Sequence, residues 1–110
     1  MADQHALNLI QEEKFHDFNN LVERTGGVVD LRGAHLRGYD VRKYHLRKAD
    51  LTGAYLRSCD LRSVDLSEAQ LDGASMKEAK VSGTLFPRNL LPEEIRLSLE
   101  YGTRLRAILD

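Results

Sequence analysis

The sequence contains few residues that could take part in chemistry, and their spacing decides whether they could act together. The candidates are two histidines, one cysteine and two pairs of aspartates: His35, His45, Cys59, Asp30 with Asp50, and Asp40 with Asp60. Histidines could bind a metal, a thiol could act as a nucleophile, and two adjacent carboxylates could share a proton in acid–base catalysis. Each of these uses requires the groups to meet at one point, which depends on the elements that carry them.

Residues 29–83 consist of eleven consecutive five-residue repeats. Each repeat has an aliphatic residue or methionine at its centre and, usually, a small residue two places earlier, while the other three positions are polar or glycine except at Tyr55. This period fits neither an α-helix nor a flat strand, and it indicates a chain that turns a corner in every repeat. The central residues are the predicted structural core: Leu31, Leu36, Val41, Leu46, Leu51, Leu56, Leu61, Leu66, Leu71, Met76 and Val81.

This pattern closely resembles that of the pentapeptide repeat family, in which a central Leu or Phe follows a small residue by two places. The resemblance covers half of the chain and implies an all-β solenoid, a right-handed quadrilateral β-helix with four repeats in each coil and about three coils here. A twenty-residue period supports four sides independently, because Gly33, Gly53 and Gly73 recur at this interval. These glycines predict a corner that needs a positive φ or a close approach of the backbone.

The amino-terminal segment, residues 1–28, predicts a helical cap for the first coil. Its apolar residues lie near helical spacing, Asp3 is suited to the N-cap and Gly26–Gly27 to the end of the helix. Tyr39 and Tyr44 replace the small residue in the first coil, and their rings would overfill a closed interior. We therefore expect the first coil to be wider than the others or to open against the amino-terminal segment.

The β-helix is expected to end near Pro87, which gives a repeat domain of residues 29–86. Residues 87–110 predict a helix that begins at Pro92 and ends at Gly102. Their apolar residues exceed what one coil end can cover. Family members that resemble this chain commonly form homodimers through this end, and folding back as a cap is the alternative. The candidate residues for either role are Ile95, Leu99, Leu105 and Ile108.

A four-sided coil separates the candidate chemical groups. His35 and His45 are ten residues, or two corners, apart, so they lie on opposite faces and cannot share a metal. Cys59 occupies a small inward position and is expected to be an inert core thiol. The aspartate pairs lie on convex faces beside arginines, which favours ion pairing over catalysis. We therefore expect no enzymatic activity, no metal and no cofactor.

Charge is distributed unevenly although the net charge is only −1. Residues 29–48 have a balance of +4, residues 49–68 have −2, and the amino-terminal segment has −3. Arg37, Arg57 and Lys77 also recur at twenty-residue intervals. The basic residues could contact nucleic acid or an acidic protein surface, or they could be neutralised by the acidic cap. The candidate interaction surface is Arg32, Arg37, Arg42, Lys43, Arg47, Lys48 and Arg57.

The best-known activity of the family is mimicry of duplex DNA by an acidic, dimeric coil that binds type II topoisomerases. That mechanism needs long columns of carboxylates, and here the columns are interrupted, because Gln70 follows Asp50 and Lys80 follows Asp60. We therefore predict a non-catalytic protein–protein interaction module with an unknown protein partner. Nucleic-acid binding through the basic first coil is an alternative, and inhibition of a topoisomerase is disfavoured by the charge.

The composition and the amino-terminal sequence indicate the cellular compartment in which the protein is expected to occur. A single cysteine excludes an internal disulfide framework and suits a reducing environment. The start of the chain lacks the basic residues and the apolar run of a signal peptide, and no stretch approaches the ~18 apolar residues of a membrane span. We expect a cytoplasmic protein of bacterial type that makes no contact with a membrane.

Overall fold

The computed structural model describes residues 2–109 of the chain. None of the described helices has the length and apolar character needed to span a membrane. The repeats contain little regular strand, and helices lie before and after them. In chain order the elements are helix α1 (Gln4–Gln11), helix α2 (Phe15–Arg24), strand β1 (Val28–Asp30), strand β2 (Lys48–Asp50) and helix α3 (Pro92–Tyr101).

Residues that lie twenty positions apart pair in parallel throughout the repeats. Strand β1 pairs with β2 so that Val29 lies opposite Ala49. The N–H of Leu36 donates to the carbonyl of Tyr55, and the N–H of Tyr55 donates to the carbonyl of Ala34, both at 2.9 Å. The repeats therefore form three layers: residues 29–48, 49–68 and 69–86. The isolated bridges all have the same offset: His35 with Tyr55, Asp40 with Asp60, Asp50 with Gln70, Tyr55 with Ser75, Asp60 with Lys80 and Asp65 with Leu85.

A tight turn in every repeat explains why regular strand is limited to the three residues of β1 and the three of β2. The N–H of the small residue donates to the carbonyl of the preceding central residue, as from Ala34 to Leu31 at 3.1 Å. Gly33 and Gly53 precede the small residue with φ of 68° and 69°, as the recurring glycines predicted. Only short extended pieces remain between the turns. The all-β class that the sequence predicts is therefore present only as short parallel pairings, without long strands.

The central residues of the repeats lie inside the layers. Ten of the eleven are buried, but Val81 is only half-buried although the sequence placed it in the core. Val81 belongs to the third layer, and the repeats end before a fourth layer could cover it. Burial of a leucine side chain contributes about 1.5–3 kcal/mol. The stacked central residues are therefore a main stabilising contact of the repeats.

The first layer is open on the side that carries Tyr44. The first layer pairs with the second through β1 and β2, at His35 and at Asp40, but within the described residues no backbone hydrogen bond joins Asp65 to Tyr44 or to Leu46. The ring of Tyr44 packs edge-on against Phe18 of α2, with centroids 5.2 Å apart. The first layer thus opens against the amino-terminal segment, as the size of Tyr44 predicts.

The amino-terminal segment forms two helices, not the single helix that its apolar spacing predicted. The chain turns between α1 and α2 at Glu13, where φ is 59°. Asp3 is the N-cap of α1, as predicted, and its carboxylate accepts from two N–H groups of the first turn. The turn allows both helices to contact the first layer, because the Tyr44 hydroxyl donates to the carbonyl of Ile10 at 3.4 Å while its ring contacts α2.

Asn19 of α2 binds two backbone groups on the open side of the first layer. Its side-chain amide donates to the carbonyl of Lys43 at 2.9 Å, and its side-chain oxygen accepts from the N–H of His45 at 2.8 Å. One amide side chain of α2 therefore satisfies two backbone groups of the first layer, including the N–H of His45, which has no preceding layer to bind.

The carboxyl-terminal segment folds back onto the third layer. Pro92 is the first residue of α3, and Gly102 ends the helix with φ of 73°, both as predicted. The N–H of Gly73 donates to the carbonyl of Leu105, and the N–H of Leu105 donates to the carbonyl of Ala74, both at 2.7 Å. The Leu105 side chain is only 1% exposed. The segment therefore covers part of the edge that a fourth layer would occupy.

We expect Asn19→Ala to lower the free energy of unfolding by about 1–2 kcal/mol, because it removes two hydrogen bonds between α2 and the first layer. Asn20→Ala is the matched control, since Asn20 is exposed and its side chain bonds to no described residue; its effect should stay within about 0.5 kcal/mol. Urea unfolding followed by circular dichroism measures both. Equal losses in the two variants would contradict the role assigned to Asn19.

Candidate interaction face

Arginines that follow an aspartate by two residues are neutralised within their own repeat. The guanidinium of Arg32 donates from Nε and Nη2 to the two carboxylate oxygens of Asp30, at 3.0 and 2.8 Å. Arg42 makes the same two contacts with Asp40, at 2.9 and 2.8 Å. Bidentate pairs of this kind are strong charge-assisted hydrogen bonds, so these arginines present little unpaired charge.

Pairing between layers adds a second contact to these repeats. Asp60 accepts from Arg62 of its own repeat at 2.7 Å and lies 3.2 Å from Arg42 of the first layer. The side-chain hydrogen bond from Arg62 holds the pKa of Asp60 well below its usual range. The hydrogen bond from Arg32 lowers the pKa of Asp30 to about 2. Both carboxylates therefore remain charged at neutral pH and hold their arginines in place.

One side of the layers carries cations that have no such partner. Arg37, Arg57 and Lys77 lie twenty residues apart, one in each layer, and the residue two places before each of them is not acidic. Within residues 2–109, no carboxylate oxygen lies within 4.0 Å of these three cations. We call this column the basic strip.

An aromatic stack borders the basic strip. The rings of His35 and Tyr55 are stacked, with centroids 4.5 Å apart and 6° between their planes. The Arg104 guanidinium lies 5.4 Å from the Tyr55 ring centroid, and it donates to the Tyr55 hydroxyl at 3.2 Å and to the carbonyl of Gly73 at 2.8 Å. His35 is in the first layer and Gly73 in the third, so the ring of Tyr55 has contacts on both sides, although it remains 36% exposed. The basic strip and the aromatic stack line a groove of about 430 Å³, which also includes Tyr101.

The repeat pattern matches one family model. A model of pentapeptide repeats aligns with residues 29–62 and 49–86, in eight copies, and together these ranges cover more than half of the chain. The chain belongs to the pentapeptide repeat family. The model counts eight copies where the sequence has eleven repeats, but the match still confirms the predicted family. Comparisons with curated proteins and with solved structures gave no match.

Two of the seven basic residues predicted as a surface lie in the basic strip of this pentapeptide repeat protein, Arg37 and Arg57. The predicted set left out Lys77, although its position in the same column and the non-acidic Ser75 before it were visible in the sequence. It also left out Arg104, which lies beside the strip. No repeat position marks Arg104, because it belongs to the segment that folds back after α3.

The other five predicted basic residues make contacts within the chain. The pentapeptide layers themselves supply most of the compensating charge, so the acidic amino-terminal cap is not the main neutralising partner of the first layer. The contacts are Arg32 with Asp30, Arg42 with Asp40 and Asp60, Arg47 with Glu68 at 3.3 Å, Lys43 over the ring of Phe15 at 5.0 Å, and the aliphatic part of Lys48 beside Gly27.

The candidate chemical groups remain separate in the structure. His35 lines the groove beside the basic strip, whereas His45 lines a cleft of about 480 Å³ between the end of α2 and the open side of the first layer. Cys59 is buried, its thiol donates to the carbonyl of Leu36 at 2.7 Å, and burial raises its pKa to about 11. Among residues 2–109, no three His, Cys, Asp or Glu side chains are grouped so that they could hold a metal.

We expect the free energy of unfolding to fall as the pH is lowered from about 4 to about 2. The folded protein holds the pKa values of Asp30 and Asp60 below those of the unfolded chain, so their contribution is present above about pH 4 and is lost as protons bind the folded carboxylates. Urea unfolding at constant ionic strength measures this loss. It should be smaller in Asp60→Asn than in the wild type.

The matched control is Asp17→Asn, because Asp17 is exposed on α2 and has no ion pair with another described residue. Its acid dependence should equal that of the wild type. An Asp60→Asn variant that loses stability with pH as steeply as Asp17→Asn would show that the Asp60 pairs do not contribute.

Proposed function

We propose that this protein is a non-catalytic protein-interaction module built on a right-handed, four-sided β-helix. Parallel pairing at an offset of twenty residues, with one tight turn in each repeat of five, supports four sides in each coil. Membership of the pentapeptide repeat family supports the right-handed form. In this proposal, residues 29–86 are the repeat domain, and residues 1–28 and 87–110 close its two ends.

The basic strip is the observation that carries this proposal. Most arginines of the repeats are held by carboxylates of the same chain, so a partner would have to replace existing ion pairs in order to use them. Arg37, Arg57 and Lys77 require no such exchange, and the pairing between layers fixes the backbone that carries them. An ordered set of unpaired cations favours rapid and specific association with an anionic surface.

The surroundings of the candidate chemical groups support a role without catalysis. The thiol of Cys59 is buried and largely protonated at neutral pH, so it is a poor nucleophile. The imidazole of His35 is stacked on Tyr55, and the paired aspartates are committed to arginines. A single buried thiol is also consistent with a reducing, cytoplasmic location.

The two other functions considered have weaker support. Nucleic-acid binding through the whole first layer would require Arg32 and Arg42, which are paired with aspartates. Mimicry of DNA would require continuous carboxylate columns, but Asp60 is opposite Lys80 and is bound by two arginines. The basic strip remains the face whose cations an anionic partner could bind without first displacing carboxylates of the same chain.

Site-specific cross-linking tests the interaction module. Ser58 follows Arg57 of the basic strip, and Ser63 follows Arg62 of a self-paired repeat. Both serines are exposed, and their φ angles are nearly equal, at 60° and 62°. Each is replaced by cysteine and labelled with benzophenone maleimide, which the buried Cys59 should not react with. The labelled variants are added to an extract of cells that make this chain. We expect Ser58→Cys to give a discrete cross-linked protein and Ser63→Cys to give none.

Excess unlabelled protein should abolish the cross-link from Ser58→Cys. No cross-linked protein at either position, or the same products at both, would count against an interaction through this face. Turnover of a substrate by the purified protein would overturn the non-catalytic part of the proposal.

We also propose that a second copy of the chain covers an apolar patch formed by Leu91, Ile108 and Leu109. These side chains are exposed, and the N–H of Ile108 donates to the carbonyl of Asn89 at 2.9 Å, which places Ile108 near the start of α3. Among the residues considered for a dimer, Leu105 is buried within its own chain. Ile95 and Leu99 are half-buried against the core, so Ile108 is the one left exposed.

Light scattering tests the homodimer. We expect the wild type to have twice the 12.5 kDa mass of one chain, and a variant with both Ile108→Ser and Leu109→Ser to have the mass of one chain. Val28→Ser is the control, since Val28 is an exposed apolar residue at the opposite end and should leave the mass unchanged. A monomeric wild type would remove this part of the proposal.

A further inference from the structure

The size and surroundings of the basic strip indicate which kind of partner it receives. We propose that it binds an extended acidic segment of a protein, which lies along the column of layers with its carboxylates against Arg37, Arg57 and Lys77. This inference rests on the proposed function, because it specifies the chemistry of the partner that binds the same face.

The spacing of the three cations suits an extended peptide. Adjacent layers lie about 4.8 Å apart, so the column from Arg37 to Lys77 spans about 10 Å. In an extended peptide, side chains on the same side recur about every 6.6 Å. Two or three acidic side chains at alternate positions therefore cover the strip, and the long arginine and lysine side chains accommodate the difference between the two spacings.

The self-paired faces on either side of the basic strip limit the width of an anionic partner. The basic strip lies between the side that carries Asp30 and Asp50 and the side that carries Asp40 and Asp60. Duplex DNA carries one negative charge about every 1.7 Å, and its binding surfaces are broad, so its phosphates would also lie over these faces, where Arg32, Arg42 and Arg62 are already held by aspartates. A single extended peptide is narrow enough to remain over the strip.

The aromatic groups beside the strip favour a peptide over a single-stranded nucleic acid. Single strands are bound largely by stacking their bases on open aromatic faces. His35 and the Arg104 guanidinium already contact the ring of Tyr55 and compete with a base for its faces. Tyr101, in the lining of the groove, is 66% exposed. This one open ring offers an apolar contact for a peptide side chain, but it does not form the series of faces on which successive bases stack.

Fluorescence anisotropy with a labelled peptide of alternating Glu and Ser residues tests this inference. The same peptide with Gln in place of Glu, and a single-stranded oligonucleotide of equal charge, serve as comparisons. We expect the Glu peptide to bind and the Gln peptide not to bind. Arg57→Gln should weaken binding roughly threefold to tenfold. Arg62→Gln, which removes the same charge from a self-paired repeat, should leave binding unchanged.

Lys77→Gln is a second strip variant, used if Arg57→Gln alters the circular dichroism spectrum. The inference is overturned if the Glu peptide binds no better than the Gln peptide, or if the strip variants and Arg62→Gln lose affinity equally. It is also overturned if the oligonucleotide binds more tightly and depends on Arg57, because the strip would then be a nucleic-acid site.

The cross-link from Ser58→Cys distinguishes failure of this inference from failure of the proposed function. A discrete cross-linked protein without peptide binding would leave the interaction module in place and remove only the acidic chemistry of its partner. The absence of both would remove the module and the inference together.

Discussion

Parallel pairing between residues twenty positions apart is the constraint on which the rest of this structure depends. Hydrogen bonds such as those joining Tyr55 to Ala34 and Leu36 hold one layer against the next. Each outward side chain then stands beside the side chain twenty residues later, and each central residue stacks on its equivalent. The neighbours of a residue therefore include those in its column as well as those beside it in the sequence.

This arrangement turns small differences between repeats into differences between whole faces. An aspartate two places before an arginine produces a bidentate pair, and pairing between layers brings a second arginine to the same carboxylate, as at Asp60. A histidine, tyrosine or serine at that place removes the pair within the repeat. In the column of Arg37, Arg57 and Lys77, unlike at Arg47, no described carboxylate from another layer replaces it. Because the substitution recurs every twenty residues, Arg37, Arg57 and Lys77 form one continuous basic column beside neutralised faces.

Most of the arrangement within the repeats was predictable from the sequence, because each feature recurs and its period fixes its neighbours. The twenty-residue offset, the buried central residues and the positive φ of Gly33 and Gly53 all follow from that period. The size of Tyr44 indicated that the first layer could open against the amino-terminal segment, but most individual contacts between the repeats and the flanking segments were not predictable. Asn19 and Arg104 reach the layers from sequences that have no period, so no pattern identified them.

The candidate site was predictable only in part for a related reason. Charge balance summed over the first layer suggested a general basic surface, but the sum counted Arg32 and Arg42 equally with Arg37. The contacts of each guanidinium depend on its immediate neighbours, which the sum does not represent. Whether the residue two places before a cation is acidic predicts the pairing of that cation within its repeat better than the net charge of the whole layer does.

The folded-back carboxyl-terminal segment also has a consequence for how molecules of this protein behave when they are concentrated. A repeat that pairs with its own equivalent could, in principle, template the addition of further copies and grow into a fibre. The backbone of Leu105 occupies the edge at Gly73 and Ala74, so an incoming chain finds no open pairing groups there. The N–H groups of Met76 and Glu78 are likewise bound by Ser98 and Leu99 of α3. Resistance to polymerisation at this end therefore depends on how rarely these four hydrogen bonds, made by non-repeating residues, come apart.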